Sequence, residues 1–76
     1  MKQGIEDMAE SLGDALPAKM KQIREEYIPS YQSVGPAGGF AVMMMQHSLT
    51  KAEQALSSGD VVEMLEVFAE LNAFKL

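Results

Sequence analysis

Apolar residues recur at helical spacing from the beginning of the chain. Ile5, Met8 and Leu12 lie three and four residues apart with polar positions between them, which is the pattern of an amphipathic helix. We expect Gly13 to end this helix in a left-handed cap. Asp14 can then accept backbone N–H bonds at the start of the next helix, so the sequence predicts a break at this point.

Pro17 leaves an alternative to this break open. A proline fits the first turn of a new helix, where its missing N–H is not needed, but it is also compatible with one continuous helix that bends. We expect the break. Pro29 should end the second helix, because the residue before a proline is pushed out of the helical region. The apolar face of this second helix is Leu16, Met20, Ile23 and Tyr27.

Residues 30–39 are rich in Ser, Gly, Pro and Gln and predict a loop of about ten residues. We expect Tyr31 and Val34 to pack across the core from this loop. A third helix should start near Pro36 and run to Ser57 or Ser58. Its inward positions recur every three or four residues at Val42, Met45, Leu49, Ala52 and Leu56.

The first half of the third helix is apolar on every side. Residues 40–45 are six consecutive apolar residues, so this stretch has no solvated face. Helical geometry sends Phe40 and Met44 to one side and Val42 and Met45 to another. A chain of 76 residues has little with which to cover all of them. We therefore expect a partner surface here, either a second copy of the chain or another protein.

The end of the third helix and the start of the fourth are marked by Ser58-Gly59-Asp60. Gly59 should terminate one helix, and Asp60 should cap the next, with Glu63 completing a pair like a capping box. The fourth helix should run from Asp60 to about Phe74, and the short connection predicts an antiparallel hairpin. Its inward residues should be Val61, Met64, Leu65, Phe68 and Leu71, and its acidic outer stripe Glu63, Glu66 and Glu70.

The sequence predicts an all-α fold of three to four short helices in one domain. No alternating run is long enough for a strand. The domain divides into N-terminal helices (1–29), a Gly/Pro loop (30–39) and a helical hairpin (40–76). With no cysteine and one histidine, the chain has neither a disulfide nor a multi-histidine zinc site to stabilise it. We expect dimerisation to complete the small bundle.

Charge and composition exclude several classes of function. The net charge of −5 is opposite to that required for binding nucleic acid through its phosphates. No stretch resembles a secretory signal or is long enough to cross a membrane, so we expect a cytoplasmic protein without membrane or nucleic-acid partners. Seven methionines are typical of adaptable packing or binding surfaces.

No catalytic signature is present, so we expect no enzyme activity, cofactor or metal site. His47 has no nucleophile at a known spacing, and a structural or interfacial histidine is the preferred interpretation over a general base. Residues 35–39 (Gly-Pro-Ala-Gly-Gly) at a helix start would form a backbone nest for an anion. The alternative is that these glycines allow another helix backbone to approach closely.

Two further groups have more than one interpretation. Tyr27 and Tyr31 flank a rigid turn and suit either a binding hot spot or the lid of a small core. The acidic residues of the last helix, with Glu6, Asp7, Glu10 and Asp14, form either a solvated face or an imitation of nucleic-acid phosphates. The predicted protein interface comprises Tyr27, Tyr31, Phe40, Val42, Met43, Met44 and His47, and the acidic face comprises Glu63, Glu66 and Glu70.

The C-terminal half resembles short uncharacterised helical proteins encoded by tailed bacteriophages. Residues 34–71 pair a Gly/Pro-led apolar helix with the motif A-E-x-A-x-x-x-G-D-V-V-x-M-L at residues 52–65. The resemblance implies a viral accessory protein that binds and inhibits or redirects a host protein in the bacterial cytoplasm. From the residues themselves we expect a non-enzymatic homodimer that binds a protein. The alternative is an acidic decoy that blocks a nucleic-acid-binding host protein, such as a defence nuclease or a polymerase.

Overall fold

Helices account for nearly all of the chain in the computed structural model, which describes the backbone from Ile5 to Leu76 and the side chains from Ser11 onward. No residue of this described backbone lies in a strand, so the predicted all-α class is confirmed. Predictions about the side chains of residues 1–10, including the acidic Glu6, Asp7 and Glu10, lie outside the described residues. The elements are α1 (Ile5–Gln22), a π-helical turn (Ile23–Tyr27), α2 (Ile28–Gln32), a 3-10 turn (Gly35–Gly38), α3 (Gly39–Ser58) and α4 (Val61–Ala73).

The first helix runs unbroken through Pro17. The predicted break at Gly13 is therefore wrong, and Asp14 lies inside α1 rather than at a cap. Tertiary packing explains the continuous helix. The buried residues of this segment lie along one side of the helix, and a break would remove some of them from the core. Pro17 and Gly13 are both exposed, so water can satisfy the Gly13 carbonyl that the proline leaves unpaired. All five buried residues of this row were predicted as apolar positions, but on two separate helices rather than one: Leu12, Leu16, Met20, Ile23 and Tyr27.

A π-helical turn carries the chain past Pro29. Within this turn the Ile28 N–H donates to the Ile23 carbonyl, five residues earlier. α2 continues the helical path through Pro29, so the predicted helix end at this proline is wrong. In a regular α-helix the proline ring would crowd the carbonyl four residues before it. A wider turn immediately before the proline accommodates one extra residue and relieves that crowding.

The predicted loop over residues 30–39 is mostly helical. α2 extends to Gln32, and the 3-10 turn begins at Gly35, which leaves a very short connection. Tyr31 packs against the core as expected, but the prediction for Val34 is wrong because its side chain is exposed.

The junction between α3 and α4 follows the sequence closely. Gly59 ends α3, as predicted, and does so in the left-handed conformation with a φ of 72°. The Asp60 carboxylate caps α4 by accepting the N–H groups of Val62 at 2.9 Å and Glu63 at 3.2 Å. The predicted capping box is incomplete, because the Asp60 N–H donates to the Ser58 hydroxyl and not to the Glu63 carboxylate.

α4 packs against both α1 and α3, and this double contact sets its orientation. Leu65, predicted to face inward, is exposed, and Val67 is buried in its place. Met64 and Leu71 are buried as predicted, and Val61 and Phe68 are half-buried at the edges. The inward face of α4 is therefore rotated from the predicted one toward Val67.

The core is a thin layer along an elongated molecule whose extents are 49 × 19 × 15 Å. Apart from the short α2, which has no buried residue, each α-helix contributes a buried row, and the predicted row of α3 is confirmed at Val42, Met45, Leu49 and Ala52. Leu56 is only half-buried, and Ser48 and Ala55 are buried although they were not predicted. An exposed ion pair of 2.5 Å between Arg24 and Glu53 joins the π-helical turn to α3. The buried residues of α3 are Val42, Met45, Ser48, Leu49, Ala52 and Ala55.

Gly38 provides a test of the junction between α2 and α3. A Cβ at this position would overlap the Tyr31 carbonyl oxygen and lie 2.8 Å from Val34 Cγ2, whereas a Cβ at Gly39 would meet nothing within 4 Å. We expect Gly38→Ala to lower the free energy of unfolding by about 1–3 kcal/mol through overpacking. Gly39→Ala, in helical conformation, should raise it by about 0.4–1 kcal/mol. Urea unfolding followed by circular dichroism at one protein concentration measures both, and equal stabilities would contradict the close approach.

Candidate functional site

One exposed surface is a row of four residues on the outer face of α3, which we call the α3 stripe: Phe40, Met43, Met44 and His47. These residues follow the spacing i, i+3, i+4 and i+7, which places them on one side of a helix. The exposed fractions of the three apolar side chains are 69% for Phe40, 57% for Met43 and 42% for Met44. His47 is also exposed, at the end of the stripe. The apolar block of residues 40–45 is thus divided: Val42 and Met45 are buried, Ala41 is half-buried, and the other three residues are exposed.

The other predicted interface residues lie apart from this stripe. Tyr27 and Val42 are buried and offer almost no accessible surface. Tyr31 is half-buried, and its hydroxyl donates to the Lys75 carbonyl, which ties α2 to the C-terminal segment. The structure therefore brings together four of the seven predicted interface residues, and both tyrosines contribute to packing within the chain.

The α3 stripe lies in the part of the chain that carries no carboxylate. Eleven Asp and Glu residues are present in the sequence, yet none falls between Glu26 and Glu53. This interval contains the last residue of the π-helical turn, all of α2 and of the 3-10 turn, and most of α3. The charged residues in residues 27–52 are limited to Lys51 and, when protonated, His47. This interval is close to neutral in a chain whose net charge is −5, and the Glu70 carboxylate of α4, which acts electrostatically on His47, is paired with Lys51.

A second exposed apolar surface was not predicted from the sequence. Val62, Leu65, Ala69 and Ala73 are all exposed and share the outer side of α4, which we call the α4 face. The exposed fractions are 64% for Val62 and 41% for Leu65. The signal was present as the spacing i, i+3, i+7 and i+11. The sequence pattern did not predict the α4 face, because Leu65 was expected in the core and because Ala69 and Ala73 are only weakly apolar.

The predicted acidic stripe does not form one free surface. Glu70 is held against α3, where its carboxylate accepts hydrogen bonds from the Ser48 hydroxyl at 3.0 Å and from Lys51 Nζ at 2.5 Å. Glu63 accepts the Ser58 hydroxyl at 3.4 Å. Glu63 and Glu66 border a shallow depression between α3 and α4, which Lys51 also lines. Glu70 is therefore better described as a structural link than as part of a solvated acidic face.

Hydrogen bonding from Lys51 lowers the pKa of the Glu70 carboxyl below its ordinary value of 4.5. The Ser48 hydrogen bond and the electrostatic influence of Lys51 and His47 act in the same direction, while partial burial opposes them. Because the folded-state pKa is the lower one, this contribution to stability is present above pH 4.5 and is lost as the pH falls through the folded-state value.

Metal binding and membrane insertion have no support in the described part of the chain. Among the residues that the structure describes, no group of three or more His, Asp or Glu side chains is placed to hold a metal ion. In the same part of the chain, no helix is both long and apolar enough to span a membrane. The two exposed apolar surfaces are the candidate functional sites, because they group large apolar side chains in contact with solvent.

The Glu70 link predicts a specific pH dependence. Between about pH 5.5 and about pH 3.5, which bracket the ordinary glutamate pKa, the wild-type protein should lose more stability than Glu70→Gln does. Chemical unfolding at each pH measures the difference. Glu66→Gln is the control, because it removes a carboxylate from α4 without breaking either hydrogen bond to Glu70. An identical pH dependence in wild type and Glu70→Gln would contradict the assigned link.

Comparison with known proteins adds no relative. The chain matches no model of a protein family, no curated protein and no solved structure.

Proposed function

We propose that this chain is a non-enzymatic protein-binding module that forms a homodimer through the α3 stripe. In this proposal it is a phage-type accessory protein of the bacterial cytoplasm, and its dimer inhibits or redirects a host protein. The observation that carries the proposal is the exposure of Phe40, Met43 and Met44 on one helix face. Large apolar side chains grouped on the surface of a small protein are typical of interaction sites.

Charge supports a second copy as the occupant of the α3 stripe. Two chains of net charge −5 repel each other, so self-association is least opposed where no carboxylates meet. Residues 27–52 provide such a surface. The flexible methionines at the centre of the stripe also suit a symmetric contact, in which the same side chains must adapt to their own copies.

The proposed dimer presents the stripe from a rigid support. We infer that α3 and α4 form an antiparallel helical hairpin, because Glu70 near the end of α4 reaches Ser48 and Lys51 in the middle of α3. The Asp60 cap fixes the other end of this hairpin. This support lowers the entropy cost of association, because the helix backbone is already ordered and only the side chains of the stripe remain to be ordered on binding. A dimer that pairs two stripes would complete the small bundle.

A second candidate function is an acidic decoy for a nucleic-acid-binding host protein. The exposed carboxylates of Glu63 and Glu66 favour it. The pairing of Glu70 with Lys51 removes part of the negative charge that such a decoy requires, so the geometry supports this candidate less. Binding that weakens steeply with salt would distinguish the decoy from an apolar interface.

Light scattering at micromolar protein concentration tests the proposed dimer. We expect the wild-type chain to have the mass of a dimer and Met43→Glu/Met44→Glu to have the mass of a monomer, because burying two carboxylates in an apolar contact is unfavourable. Gln54→Glu/Ser57→Glu is the matched control, since it adds the same charges to exposed positions at the other end of α3. A monomeric wild type, or dissociation by both variants alike, would reject the α3 stripe as the dimer interface.

A further inference from the structure

We propose that the α4 face is a docking site for a basic amphipathic helix of the partner protein. This inference rests on the proposed protein-binding function and adds the surface and the chemical class of the partner. The α4 face is distinct from the α3 stripe, because it lies on a different helix and is bordered by different charges.

The shape of the α4 face suits a helix. From Val62 to Ala73 it extends for about 17 Å, or about three helical turns. Val62 and Leu65 provide exposed apolar area in its first half, while Ala69 and Ala73 leave room in the second half for a helix to approach closely. The large side chains form a ridge and the alanines leave a groove. Helices pack by fitting the ridge of one helix into the groove of the other.

The opposite side of α4 is firmly anchored. Met64, Val67 and Leu71 are buried, and α1 and α3 both contact this helix. The Asp60 carboxylate satisfies two N–H groups at its first turn. The exposed side is therefore presented by a helix that is already held in place, which reduces the reorganisation cost of binding.

The charges beside the α4 face favour a positive partner. Residues 61–73 contain three glutamates and no lysine or arginine. Glu66 and Glu63 lie exposed on the side toward α3. Among the described residues that line the depression there, Lys51 is the one cation, and it is already paired with Glu70. The side toward α1 carries both signs, with Lys19, Lys21, Glu25 and Glu26 around a shallow depression. The net border of the α4 face is thus acidic.

A second copy of the chain is a poor occupant of this face for the same reason. Pairing two α4 faces would bring the glutamates of both copies together, and like charges across an interface are unfavourable. The α3 stripe itself contains no carboxylate, and the Glu70 carboxylate that acts electrostatically on His47 is paired with Lys51. A helix with apolar residues at i, i+3, i+4 and i+7 and with lysine or arginine beside them is complementary to the α4 face in both shape and charge.

A synthetic peptide tests this complementarity directly. The probe is a fluorescein-labelled 14-residue peptide, with leucine at helical spacing and lysine at the remaining positions, titrated with the full chain at about 0.15 M salt. We expect saturable binding. The same peptide with glutamate in place of lysine should not bind, and a scrambled Leu/Lys peptide without a leucine stripe should bind at least about tenfold more weakly. Equal binding of the scrambled peptide would overturn the proposal, because it would show attraction by charge alone.

Variants assign the binding to the α4 face. Val62→Thr/Leu65→Gln, which removes apolar surface without adding charge, should weaken binding of the Leu/Lys peptide by about tenfold or more. Glu63→Gln/Glu66→Gln should weaken it by about threefold, with a smaller effect at high salt. Val34→Thr, an exposed position outside both surfaces, should bind like the wild type. Unchanged binding in Val62→Thr/Leu65→Gln would refute the assigned site.

Light scattering on the same samples separates this inference from the proposed dimer. Loss of peptide binding in Val62→Thr/Leu65→Gln with the dimer mass retained would support both assignments. A dimeric wild type that does not bind the peptide would overturn the α4 assignment and leave the dimer intact. A monomeric wild type whose peptide binding depends on Val62 and Leu65 would support the α4 assignment and reject the dimer.

Discussion

The packing of α4 between α1 and α3 is the contact on which the rest of the structure depends. It buries Met64, Val67 and Leu71 and holds the long N-terminal helical segment and α3 on one core. Because the core is a single thin layer, each helix buries only one side. The outer sides of α3 and α4 still carry exposed apolar residues, which no other element of the described part of the chain covers.

The two uncovered surfaces differ in charge, and this difference supports two separate roles. The α3 stripe lies in a carboxylate-free interval, which favours contact between copies of an acidic chain. The α4 face is bordered by Glu63 and Glu66, which favours a basic partner and disfavours a second copy. The Glu70 link to Ser48 and Lys51 joins the two helices that present these surfaces. Self-association and partner binding would then occur on one rigid support without competing.

Local patterns predicted most of the fold, and tertiary packing decided the exceptions. The Gly59 and Asp60 signals act within one turn, so the sequence alone located that junction. Pro17 is a strong local signal for a break, but the burial of a continuous row of side chains outweighs it. Whether Leu65 or Val67 is buried depends on how α4 packs against α1 and α3. The sequence pattern within α4 carries no information about that packing. The α3 stripe was identified because six consecutive apolar residues are conspicuous, whereas the alanines of the α4 face conceal its spacing.

Disulfide trapping tests most directly the claim that the α3 stripe, and not the α4 face, joins two copies. The chain has no cysteine, so a single introduced thiol reports one position without interference. A two-fold axis through the middle of the stripe brings the central residues close to their own copies, within reach of a disulfide. Under mild oxidation at micromolar concentration, Met43→Cys or Met44→Cys should form a covalent dimer much faster than Val62→Cys. Equal trapping at all three positions, or faster trapping at Val62→Cys, would contradict the account.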